Sequence, residues 1–173
     1  MIYPYKGVTP EIDESAYIAD YVTISGDVKI GKESSVWFQT VIRGDVAPTM
    51  IGDRVNIQDL CCLHQSPGKP LIIEDGVTVG HSVTLHSAII RKNALIGMNS
   101  TILDGAEIGE GAFIGAGSLV PPGKVIPPGM MAFGRPAKVI RNVSEDDRKD
   151  MDRIQREYVE KARLYKETPP VSR

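Results

Sequence analysis

The chain has 173 residues, 42% of them hydrophobic, which is enough for one well-buried core and short for two, so one domain with an appendage is predicted. A formal net charge of −2 with scattered Lys and Arg leaves no basic face for nucleic acid or an anionic membrane. No apolar run approaches the roughly 20 residues needed to cross a bilayer, the opening MIYPYKGVTP lacks the features of a secretion signal, and adjacent Cys61 and Cys62 are unsuited to pairing with each other; a cytoplasmic protein with reduced thiols is expected.

Aliphatic residues then recur every six positions. The series begins Ile12, Ile18, Ile24, Ile30, Val36, Ile42, resumes as Ile51, Ile57, Leu63, then Val79, Leu85, and ends Ile90, Ile96, Ile102, Ile108, Ile114, Val120, Ile126. Such a period fits neither an amphipathic helix nor a heptad. Each hexad supplies a short strand with its aliphatic side chain inward, followed by a corner where Gly, Asn or Asp accepts unusual backbone angles. Three hexads close a triangular coil, and stacked coils pair their strands in parallel at about 4.8 Å. Register breaks after Ile42 and after Leu63 predict protruding loops at corners, the second being Gln65 to Pro70.

The repeat ends near Pro127-Pro128. Ser144-Glu145-Asp146-Asp147 reads as an N-cap with an acidic first turn. Met151, Ile154, Tyr158, Ala162 and Tyr165 then form one apolar face, predicting a helix that lies along the prism and stops at Pro169-Pro170. The expected division is a β-helix over 1–136 and a helix over 144–167.

The three histidines, His64, His81 and His86, fall within 23 consecutive residues. His64 follows Leu63 and His86 follows Leu85, so both point outward on the same face in adjacent coils, with imidazoles about 5 Å apart. That spacing suits two ligands of one ion. His81, two places after Val79, lies on the preceding face near a corner and is expected to serve a metal held mainly by a neighbouring subunit. Threefold packing of prisms would then complete interface sites of three imidazoles with an open position, the arrangement of a catalytic zinc. Arg43 lands one coil below His64 and Asp59 below His81, with Gln58 and Asp45 nearby. Cys61 falls where a small inward side chain belongs and is assigned to the core.

Arg43-Gly44-Asp45, Asn56-Ile57-Gln58-Asp59, His64, Gly80-His81 and His86 resemble, in order, the active-site segments of the γ-class carbonic anhydrases, and the likeness spans nearly the whole chain. The resemblance implies an all-β, left-handed parallel β-helix of hexapeptide repeats with a C-terminal helix. It also implies a homotrimer, and zinc-dependent reversible hydration of CO2 to bicarbonate. By that resemblance His64, His81 and His86 are the zinc ligands, with His81 donated across the interface, and Arg43 and Asp45 form an interface ion pair beside the site. Gln58 bonds the metal-bound water or bicarbonate, and Asp59 assists. Iron(II) or cobalt(II) are alternative metals, since imidazole accepts several divalent ions. Val46 stands where the archaeal pattern has a glutamate, and the Gln65 to Pro70 loop carries no acid, so two candidate proton shuttles are missing; Tyr158 is the replacement candidate, equally readable as a packing residue. The same repeat also occurs in acyltransferases that bind acyl-CoA between subunits and use one histidine as a base. A weakly active or inactive metal-binding scaffold is the third reading.

Overall fold

A computed structural model of the chain describes residues 1–168. The chain folds as the expected parallel β-helix with a C-terminal helix. Two-residue strands such as Leu95–Ile96, Phe113–Ile114 and Leu119–Val120 stack coil upon coil in parallel register. The inward positions of the six-residue series form one aliphatic column: Ile24, Ile42, Ile57, Leu63, Leu85, Ile90, Ile96, Ile102, Ile108 and Ile114 are fully buried. Removing each such side chain from water contributes roughly 1.5–3 kcal/mol, so it is the column that holds the coils together. Cys61 is buried in the same core, as expected, and burial pushes its thiol up to about 12. Cys62 is exposed.

Two of the three prism faces merge into one sheet because the strands Thr23–Ile30 and Val41–Ile51 run across a corner without breaking. A corner loop is expected after Ile42, and the structure differs. Gly26 and Gly44 face each other at backbone contact, with Gly26 at φ +76°, and the pairing register shifts between Gly26 and Val28. The added residues are absorbed as a bulge in continuous strand. The second break is a true loop over residues 65–70.

The third face runs from Tyr17–Ile18 through Ser35–Val36, Asn56–Ile57, Thr78–Val79, Leu95–Ile96 and Phe113–Ile114 to Met130–Gly134. An antiparallel strand, Ala137–Asn142, caps it; the six-residue period contains no sign of this hairpin. The helix Glu145–Glu167 packs on this face. Ser144 is its N-cap, in a reciprocal capping box with Asp147, and Arg141 reaches Asp147 at 2.5 Å. Met151 and Ile154 pack against Leu95, Met131 and Phe113. Lower down, Tyr158 and Tyr165 meet Trp37 at ring centroid distances of 5.4 and 5.2 Å. The expected stop at Pro169-Pro170 lies outside the described residues.

Candidate metal centre

His64 and His86 are direct register partners on adjacent parallel strands, Cys62–His64 and Thr84–His86. Because Leu63 and Leu85 point into the core, their neighbours point out. The two rings lie 5.3 Å apart between centroids. His64 Nδ1 and His86 Nε2 face each other at 3.3 Å. In a tetrahedral site with metal to nitrogen bonds of about 2.0–2.1 Å, two ligand nitrogens stand about 3.3–3.4 Å apart, so this pair has the separation that one ion requires.

The outer nitrogen of each ring is held from behind. His86 Nδ1 lies 2.5 Å from Asp104 Oδ1. His64 Nε2 faces Asp45 Oδ1 at 3.0 Å and the Arg43 guanidinium at 2.8 Å, and Arg43 and Asp45 approach each other at 3.7 Å. Only one tautomer of His64 presents Nδ1 as a lone pair. It carries its proton on Nε2 and donates to Asp45, whereas accepting from Arg43 would place the proton on Nδ1. The balance between Asp45 and Arg43 thus decides whether Nδ1 is available.

His81 stands on the other side of its corner, and its Nδ1 lies 2.7 Å from Asp59 Oδ2. Among the described residues, no three His, Cys, Asp or Glu side chains of one chain converge as a metal site. The structure therefore brings together His64, His86, Arg43 and Asp45 in one cluster, and His81, Asp59, Gln58 and Tyr158 in a second region.

That second region is a cleft of about 330 Å³ between the third face and the helix. Gln58, His81 and Tyr158 share it with an apolar wall that includes Leu95, Phe113 and Ile154. Gln58 is almost fully buried and its Nε2 donates to Asn56 Oδ1 at 3.1 Å, while Asn56 Nδ2 donates to Thr78 Oγ1 at 2.8 Å. Burial, and then the charge of Asp59, raise the Tyr158 phenol above its ordinary value. Tyr158 thus lines the cleft and also packs on Trp37, the two alternatives that its sequence position left open.

Asp104 is the polar neighbour that sequence reasoning missed. Its signal is positional: it lies 18 residues, one three-hexad coil, beyond His86. The Ser66 hydroxyl, and then the His86 ring, hold its carboxyl below the usual carboxylate range.

The fold and the repeat define a hexapeptide-repeat β-helix protein: the family described as bacterial transferase hexapeptide (six repeats) matches residues 87–122, and the hexapeptide repeat of succinyl-transferase matches 70–103. A carbonic anhydrase of Geobacillus kaustophilus is 75% identical over 166 residues, covering 96% of this chain and 91% of that protein. An uncharacterized transferase, YtoA of Bacillus subtilis, is 74% identical over 166 residues, covering 96% and 97%. A Bacillus cereus crystal structure superposes with a TM-score of 0.96 at 71% identity, covering 96% of this chain and 97% of that one. Within the hexapeptide-repeat proteins, the chain belongs to the γ-class carbonic anhydrase-like family. Relatives at similar identity carry both carbonic anhydrase and transferase names.

Proposed function

We propose that this protein is a cytoplasmic, homotrimeric γ-class carbonic anhydrase that interconverts CO2 and bicarbonate at zinc sites shared between subunits. The observation that carries this reading is the 3.3 Å pair of ring nitrogens, each ring braced from behind by a carboxylate. His64 would ligate through Nδ1 and His86 through Nε2, with His81 of the partner subunit as the third ligand. When bound, zinc, or iron(II) or cobalt(II) in its place, supplies a Lewis acid that lowers the pKa of water to about 7.

The remaining work falls to side chains of this chain. Asp59 fixes the tautomer of His81, and Asp45, in competition with the Arg43 guanidinium at the same nitrogen, favours the ligating tautomer of His64, the usual task of a carboxylate behind a ligating imidazole. Arg43 sets the orientation of Asp45. Gln58 gives one of its two amide N–H groups to Asn56, which fixes the amide and leaves its carbonyl oxygen and second N–H for water or bicarbonate. Tyr158 keeps its proton at neutral pH and acts as a hydrogen-bond donor at the cleft wall. The apolar lining favours uncharged CO2 over water.

The test is metal per chain in protein purified without oxygen or chelators, followed by stopped-flow CO2 hydration on the metal-loaded sample. Hydration that depends on bound metal supports the reading. Metal without hydration leaves a scaffold, and coenzyme A binding without metal favours acyl transfer.

A further inference from the structure

We propose that Asp104 is a positioning residue that commits His86 to bind metal through Nε2, so that each of the three histidines has its own orienting carboxylate. This rests on the proposed metal site and adds a residue that neither the motif nor the resemblance assigns. Asp45 serves His64 and Asp59 serves His81 from the coil below. Asp104 serves His86 from the coil above, at 2.5 Å.

The chemistry follows from the inventory of a neutral imidazole, which has one donor nitrogen and one acceptor. With an ionised carboxylate at 2.5 Å, Nδ1 must carry the proton, and Nε2 is left as a lone pair aimed at His64. Without Asp104 the other tautomer loses its carboxylate opposition, and its Nε2 proton, facing His64 Nδ1 at 3.3 Å between the nitrogens, would point into the metal position. The brace is itself anchored. Ser87 N–H donates to His64 O at 3.1 Å and Gly105 N–H donates to Ser87 O at 2.8 Å, so a backbone ladder stacks His64, His86 and Asp104 in three successive coils. Ser87 Oγ accepts from Ser66 N–H at 2.7 Å and donates to Lys69 O at 2.9 Å, which fastens the 65–70 loop beside the carboxylate. The loop that interrupts the repeat thus shelters the brace, leaving Asp104 23% exposed.

The experiment pairs a metal titration with a metal-free readout. Zinc affinity is measured by competition with a chromophoric chelator for wild type, Asp104→Ala and Asp104→Asn. The alanine variant is expected to bind about 10–100-fold more weakly. The asparagine variant, whose carbonyl oxygen still accepts from Nδ1, should fall in between, and melting of the metal-free alanine variant should stay close to wild type. In metal-free wild type above the histidine titration range, long-range ¹⁵N correlations of the imidazoles should place the His86 proton on Nδ1, and in Asp104→Ala they should show it moving toward Nε2. Zinc affinity within threefold of wild type in Asp104→Ala, or a wild-type His86 with its proton on Nε2, overturns the assignment. Wild type that binds no zinc contradicts the proposed function instead, while the tautomer signature still judges Asp104 by itself.

Discussion

Gly44→Ala tests how closely the bulged strand and the histidine site are coupled. A Cβ built at Gly44 would lie against the Asp27 carbonyl oxygen and 2.6 Å from its carbon, about 0.8 Å short of ordinary contact at 3.4 Å. The obstacle is backbone, so one strand must move. Relief by displacing the segment that holds Arg43 and Asp45 takes the 3.0 Å contact between Asp45 and His64 toward 3.8 Å, past hydrogen-bond range. Overpacking of this kind costs about 1–3 kcal/mol. At about 2–4 °C per kcal/mol for a chain of this size, the melting temperature should fall by about 2–12 °C. Loss of the brace behind His64 should weaken zinc binding by about tenfold or more. Calorimetry of metal-free protein at fixed concentration and a zinc competition titration read the two effects separately. A variant that melts within 1 °C of wild type and binds zinc equally well would refute the coupling.

Other perturbations probe separate parts of the account. His81→Ala should lower metal content as severely as His64→Ala although the two residues stand on different faces, as read by metal analysis of purified protein. Ser144→Ala removes the helix cap and should cost about 1 kcal/mol, measurable by thermal melting. Asp147 is held below the ordinary carboxylate value by Arg141 and then Ser144, so its contribution is present above pH 3.8 and is lost as pH falls through the lowered folded value; Asp147→Asn should flatten the acid limb of the stability curve in that window. At pH 8, iodoacetamide should leave Cys61 unmodified until the protein is unfolded, because burial keeps its thiol protonated. If Val46 and the 65–70 loop supply no proton shuttle, turnover in CO2 hydration should rise with buffer concentration.

The coil and the histidine ladder were legible because both depend on register alone. An inward aliphatic residue every six positions places each neighbour, so Leu63 and Leu85 were enough to set His64 beside His86 and Arg43 below them. What escaped depends on contacts that register does not encode. The continuous strand through Gly44 rests on a backbone approach to Gly26 that belongs to the tertiary structure. The strand Ala137–Asn142 pairs antiparallel, outside the repeat. Asp104 breaks the pattern set by Asp45 and Asp59, which reach their histidines from the coil below, because His86 takes its carboxylate from above. Tyr158 stayed ambiguous for a physical reason: the same ring packs on Trp37 and lines the cleft.

The claim most in need of a direct test is that one ion is held by two chains. His64→Ala and His81→Ala proteins, each expected to lack metal and CO2 hydration, should be mixed in equal amounts, unfolded and refolded together. In the proposed homotrimer, random assembly would make about a quarter of the interfaces intact, with His64 and His86 from one chain and His81 from the next. The account predicts that metal content and hydration activity both return to about a quarter of the wild-type level. A mixture that stays empty and inactive while refolding into normal oligomers would contradict the shared site.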